Sequence, residues 1–286
     1  MNLPIELVEQ VALYVDRSCL LSLALVNSSM NAVALRLLYR HIHATTPDLV
    51  TVLADRPALA HCVRTLRVTM ADTAKLACAL SAMSQLRQLE LSVPEDSSFV
   101  LANACCPNLT RFAATFALDS HVFEFIARSP LITELELDSL SLPVQRPLQL
   151  AHLVHFAGSS HIANLIHNAS LQSVHITSGE LSVALIDALP ATVSVLAAST
   201  SLPPIQLLHK LAKSLPCLIY LRVLSTYTFQ HLPDFENIAN ALADLQHLEA
   251  FELSGMHWDH QRVWQSKPLD VVPHHDDVAS DLFYQY

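Results

Sequence analysis

Glycine is nearly absent from this chain. Its 286 residues hold 3 glycines, Gly158, Gly179 and Gly255, where a usual content of ~7% would give about 20. Glycine lets a backbone hug a phosphate or turn with positive φ. With no two of the three close together, there is no G-x-G-x-x-G, no P-loop, no G-x-S-x-G and no EF-hand loop. Dinucleotide-binding, phosphate-cradling and ordinary α/β-hydrolase chemistry are thereby set aside.

Charge is scarce as well, at 15% of residues against a usual ~25%. What charge there is leans negative, 16 basic against 26 acidic residues, for a formal net charge of −10. A nucleic-acid or anionic-membrane partner needs a basic footprint, so neither is expected. The six cysteines, Cys19, Cys62, Cys78, Cys105, Cys106 and Cys217, form no C-x-x-C and no zinc spacing. Cys19, Cys78 and Cys217, among apolar neighbours, read as small apolar residues, and the expected compartment is reducing, cytoplasm or nucleus. Glu6, Glu9, Asp16 and Arg17 make the start of the chain unlike a secretory signal, and no stretch reads as a membrane span. The sequons at Asn27, Asn108 and Asn168 are then chance matches.

What the chain has instead is leucine, at 51 positions. Much of it falls in one recurring pattern, apolar-x-x-apolar-x-apolar. Copies run from Val63 to Val68, Leu86 to Leu91, Leu109 to Ala114, Ile132 to Leu137, Leu171 to Ile176, Val193 to Ala198, Leu218 to Val223 and Leu248 to Leu253, with a weaker one around Leu150-Ala-His-Leu153. Successive fourth positions are 23, 23, 23, 18, 21, 22, 25 and 30 residues apart, inside the 20–29 range of leucine-rich repeats. Each copy reads as a short strand, and the intervening stretches carry apolar residues at helical spacing. Asp72, Asp119 and Asp234 stand where helix N-caps belong. The predicted fold class is α/β: a repeat solenoid with a parallel sheet on the concave face and helices outside.

The region resembles the leucine-rich-repeat family in its irregular, cytosolic form. The usual Asn or Cys, three positions past the last leucine, is missing. Pro94, Ala117, Leu140, Gly179, Ser201, Thr226 and Met256 stand there, so the turn after each strand must be satisfied differently.

Residues 1–42 follow another pattern. Pro4 suits a helix start, and Leu7, Val8, Val11 and Val15 form a helical stripe. Ser18 is predicted to cap a second short helix and Ser28 or Ser29 a third, with Val33, Leu37, Leu38 and Ile42 on one face. Leu3-Pro4-x-Glu6-Leu7, Leu20-x-x-Leu23-x-x-Val26-Asn27 and Leu37-Leu38-Tyr39-Arg40-x-Ile42 together resemble an F-box, in the form common in fungi. The resemblance implies binding of the Skp adaptor of a cullin-RING ubiquitin ligase, and through it a cullin, with downstream repeats capturing a protein substrate. Carried to matching positions, the adaptor surface would comprise Leu3, Pro4, Ile5, Leu7, Leu20, Leu21 and Val26. Leu23 and Leu25 are candidates for the module's own core.

The expected organisation is an F-box at 1–42, a linker helix at 43–60, about nine irregular repeats at 61–256, and a C-terminal cap or tail at 257–286. On each repeat strand the leucines point inward and the intervening residues outward. The outward set proposed for substrate contact is Arg67, Glu90, Arg111, Glu134, Glu136, Asp138, His175, Tyr220, Arg222 and Glu252, flanked by Thr65, Gln88 and Ser173. Glu134, Glu136 and Asp138 make its middle acidic, suited to a basic peptide. No catalytic, cofactor or metal signature is found; His274-His275-Asp276-Asp277 reads as a solvated tail rather than a closed metal site. The reading of a different class is a leucine-rich-repeat scaffold or inhibitor with no ubiquitin ligase role.

Overall fold

The computed structural model describes residues 4–137, 147–166, 170–226, 235–254, 256–258 and 264–266. These belong to two compact units, Met1–Leu171 and Gln172–Tyr286.

The first unit begins with three short helices, α1 (Ile5–Ala12), α2 (Arg17–Leu23) and α3 (Ser28–Leu38). Pro4 is the N-cap of α1 rather than its first residue. Asp16, not Ser18, caps α2 by accepting the Cys19 N–H at 2.7 Å, and Asn27 caps α3 by accepting the Met30 N–H at 2.9 Å. Asp16 and Asn27 stand three residues before those N–H groups and are good caps, and the serines fall inside the helices. The Cys19 and Ser18 donors hold the Asp16 carboxyl below its ordinary pKa. Ala12, Leu20 and Val33 form a small core, with Val8, Val15, Leu23, Leu37 and Leu38 packed around it. Asn31 donates to the Ala24 carbonyl at 2.7 Å, fixing α3 on the end of α2, and Arg36 pairs with Glu9 across α1 and α3.

Six parallel strands follow in chain order: β1 (His41–Ala44), β2 (Thr65–Val68), β3 (Gln88–Leu91), β4 (Arg111–Ala114), β5 (Glu134–Leu137) and β6 (His155–Ser159). Between them lie α4 (Pro47–Asp55), α5 (Pro57–Ala60), α6 (Thr73–Ala82), a 3-10 turn (Glu95–Leu101) and α7 (Ser120–Ala127), while α8 (Ser160–Ala163) follows β6. Asp72 and Asp119 cap α6 and α7 as predicted; Asp234 lies outside the described residues. The stretch expected as a linker helix, 43–60, instead completes β1 and supplies α4 and α5. Ile42 stands opposite Leu66 in register, so β1 is already a repeat strand.

The second unit repeats the plan with β7 (Ser173–Ser178), α9 (Val183–Ala188), β8 (Val195–Thr200), α10 (Pro204–Ser214), β9 (Tyr220–Ser225), α11 (Phe235–Ala243) and β10 (Ala250–Leu253). Within it, β7 to β10 are parallel. Then β11 (Met256–Trp258) and β12 (Trp264–Ser266) add two antiparallel strands beyond β10, covering an edge that would otherwise offer unpaired backbone groups.

Register stacks like residues in rows. Ile42, Leu66, Leu89, Phe112, Leu135 and Phe156 stand side by side on the inner face of the first unit, all buried. Phe112 meets Phe125 of α7 edge-on, 5.1 Å between ring centres, the geometry aromatic quadrupoles favour. Val174, Leu196, Leu221 and Phe251 form the matching row of the second unit. The row corrects the weak repeat copy. Phe156, not Leu153, pairs with Leu135, so the copy is Leu153-x-x-Phe156-x-Gly158.

Backbone bonds hold this register. The carbonyl before each strand accepts two N–H bonds from the next repeat. Arg40 serves Arg64 and Thr65, Arg64 serves Arg87 and Gln88, Arg87 serves Thr110 and Arg111, and Thr110 serves Thr133 and Glu134, all within 2.8–3.0 Å. Gln172, Ser194 and Ile219 do the same in the second unit. Past the strands, hydroxyls take the place of the missing Asn. Thr115 donates to the Val93 carbonyl at 3.0 Å and Thr226 to that of Thr200 at 3.2 Å.

Gly158 has φ +155°, and a Cβ there would sit 2.2 Å from the Leu137 carbonyl oxygen. The backbone of β6 approaches β5 too closely for any side chain. Gly158→Ala is expected to destabilise the chain by about 1–3 kcal/mol or more, read from the midpoint of a urea unfolding curve.

Candidate functional site

Two surfaces carry the residues singled out by sequence. The first is the outside of α1–α3. Pro4, Ile5, Leu7, Leu21 and Val26 are exposed there. Leu3 lies outside the described residues. Leu20 is corrected: it is buried in the three-helix core, because α2 turns Leu20 inward and its neighbour Leu21, ~100° further round the helix, outward. Leu23 packs against that core, whereas Leu25 is 88% exposed. The exposure is concentrated. Of the fourteen large apolar side chains exposed among the described residues, eight lie between Ile5 and Val26.

The second surface is the outward face of the strands. In the first unit one row runs His41, Thr65, Gln88, Arg111, Glu134, His155, and the next His43, Arg67, Glu90, Ala113, Glu136, Ala157. The charges pair across strands. Arg67 meets Glu90 at 2.8 Å, and Arg111 lies 3.7 Å from Glu134 and 3.8 Å from Glu136. The acidic middle expected from sequence is therefore offset by Arg111, and Asp138 lies outside the described residues. In the second unit Arg222 meets Glu252 at 3.5 Å. Tyr220 and His175 are partly exposed there, but Ser173 is buried. The two groups of candidates, Arg67 to Glu136 and His175 to Glu252, belong to different units.

One feature of the first unit was not singled out by sequence. Arg40, Arg64 and Arg87, each just ahead of its strand, line a groove of about 460 Å³ with His41, Thr65 and Gln88. Burial, then the charges of Arg40 and Arg64, hold the His41 pKa below its ordinary value. The signal is present in the sequence as one arginine directly before each of three successive strands, at positions outside the apolar-x-x-apolar-x-apolar strand interior.

Among the described residues no cluster of His, Cys, Asp and Glu could hold a metal ion, and no helix is long and apolar enough to cross a membrane. The His274–Asp277 run lies outside them. All six cysteines are free thiols. A pocket of about 330 Å³ beside α7, lined by Phe123, Ile126, Leu148, Gln149 and Leu150, brings no titratable or nucleophilic side chain to its wall.

No protein-family model matches the chain, and no curated protein matches it. Among solved structures, the leucine-rich-repeat-containing protein LegL7 of Legionella pneumophila is 16% identical, over 74% of this chain and 73% of that one, with a TM-score of 0.42. An internalin of Listeria monocytogenes is also 16% identical, over 87% of this chain and 80% of that one, with a TM-score of 0.44. The repeat architecture stands on this chain's own register: within each unit, parallel strands pair at like positions 21–30 residues apart.

Exposed ion pairs contribute little to stability, so the outward face is free to serve binding. Arg222→Ala should change unfolding free energy by less than ~1 kcal/mol, whereas Leu221→Ala, one residue inward, should cost about 2–5 kcal/mol; urea unfolding separates the two. Burial, with the neighbouring Cys105 thiol, pushes the Cys106 pKa up to about 12, so Cys106 carries almost no thiolate at neutral pH. Alkylation followed by mass spectrometry should modify the exposed Cys19, Cys78, Cys105 and Cys217 and leave Cys106 intact until the chain is unfolded.

Proposed function

We propose that this chain is a noncatalytic substrate-recognition subunit of a Skp-cullin-F-box ubiquitin ligase. On this reading α1–α3 are the F-box and dock a Skp-type adaptor, which brings the cullin, and the repeats capture a protein substrate. The observation that carries it is the concentration of exposed apolar side chains on α1, α2 and the turns that follow them. A soluble surface rarely leaves so many together without a partner, and side chains at helical spacing are what a helix-in-groove contact uses. Ile5, Leu7, Leu21 and Val26 are the anchors on this reading, joined by Leu25. Leu20 acts from inside by holding α2 on α3.

The test mixes the purified full chain with a purified Skp-type adaptor and reads complex formation by size-exclusion chromatography. A one-to-one complex is expected. Leu7→Asp with Leu21→Asp should abolish it while the far-UV circular dichroism and thermal midpoint stay close to those of the parent chain. Absence of a complex at micromolar concentration, or an undiminished complex with the double variant, overturns the proposal and leaves the repeat scaffold or inhibitor without a ligase role.

A further inference from the structure

The groove at the starts of β1, β2 and β3 has a charge pattern unlike the rest of the surface. Its nine lining residues include no acid. Arg40, Arg64 and Arg87 make no ion pair among the described residues, as Arg17, Arg56 and Arg128 make none, while Arg36, Arg67, Arg111 and Arg222 all do; only in the groove do three unpaired arginines line one surface. The Nε of Arg40 is buried and has no acceptor. A chain of net charge −10 has carboxylates to spare, yet none is placed here.

Position explains why the three arginines gather. Each is the residue whose carbonyl takes two N–H bonds from the next repeat, so the backbone ladder fixes their Cα atoms one strand spacing apart. Neighbouring strands lie ~4.8 Å apart, which puts three guanidinium stems within about 10 Å of one another across the starts of the strands. Like charges so close are unfavourable unless an anion answers them. Further along the groove the basic row gives way to Asn108, Thr110 and the half-exposed Leu131, which offer amide, hydroxyl and apolar contacts but no charge.

We infer that this groove binds an extended acidic peptide, with Asp or Glu carboxylates on Arg40, Arg64 and Arg87 and an uncharged residue beside Leu131. Guanidinium groups take carboxylates with two parallel N–H bonds. The chain's net charge of −10 disfavours a long polyanion, which favours a short acidic segment over nucleic acid. The inference rests on the reading that the repeats capture protein, and it is independent of the adaptor.

The probe is a fluorescein-labelled peptide of about ten residues rich in Asp and Glu, titrated with the full chain and followed by anisotropy. Saturable binding is expected, weakening as salt is raised, with no binding of the Asn/Gln counterpart. Arg64→Glu with Arg87→Glu should weaken binding by about tenfold or more, and Arg222→Ala in the second unit should leave it unchanged. The ladder uses backbone carbonyls, so Arg64→Gln with Arg87→Gln should keep the parent's thermal midpoint and still lose affinity. Equal binding of the Asn/Gln peptide, unchanged affinity in the double variants, or displacement by inorganic phosphate as readily as by unlabelled peptide overturns the inference. Adaptor capture by the same Arg64→Glu, Arg87→Glu chain reads α1–α3 alone, so the two proposals fail separately.

Discussion

The carbonyl that receives two N–H bonds at the start of each strand is the constraint on which this structure depends. It forces each repeat to enter the sheet at the same level as the one before it. Once the level is fixed, the side-chain alternation of a strand does the rest. Leucines and phenylalanines fall into buried rows, charged residues fall opposite charged residues, and the residue bearing the carbonyl is presented at the start of the strand. In the first unit that residue is arginine three times running, then threonine twice. The electrostatic character of the groove is thus a consequence of backbone hydrogen bonding.

The ladder also shows how a repeat chain manages with 3 glycines. Turns after the strands are closed by Thr and Ser hydroxyls, and helix starts by Asp, Asn and Ser side chains. Short polar side chains that bond the nearby backbone perform what positive φ would otherwise provide. Gly179, just past β7, keeps a positive φ of 80°, and Gly158 answers a different demand. The demand there is for space against the Leu137 carbonyl, and no side chain, however polar, supplies space.

Much of the fold was legible because buried strand positions recur at a nearly constant interval, and apolar residues at those positions are what burial requires. The misreadings are local and have physical causes. Leu150 and Leu153 fit the template as well as Leu153 and Phe156 do, and Gly158 hid the true copy by standing where an apolar residue belongs. Strand β1 reads Tyr39-x-x-Ile42-x-Ala44, the same template without a leucine, inside a segment whose Leu-Leu-Tyr-Arg drew it toward the helices. Leu20 and Leu21 are equally apolar neighbours on a helix, and composition does not say which one faces in; the cap at Asp16 sets that rotation. The Arg111 contacts with Glu134 and Glu136 need cross-strand register, which a list of outward residues along one chain does not contain.

The two proposed contacts of the first unit differ in the force they use, and that difference has consequences. A face of leucine and valine side chains gains most of its affinity from apolar burial, which salt barely affects and which favours slow dissociation once shape is matched. A row of arginines attracts an acidic segment from a distance, speeds encounter and loses strength as salt screens it. On the proposed reading the helices suit a standing partner and the groove a transient one, which is the division of labour that a recognition subunit requires. The strands impose it physically: apolar side chains are used up in the buried rows, so an exposed apolar surface of any extent has to be built on separate helices, and the starts of the strands are left to charge.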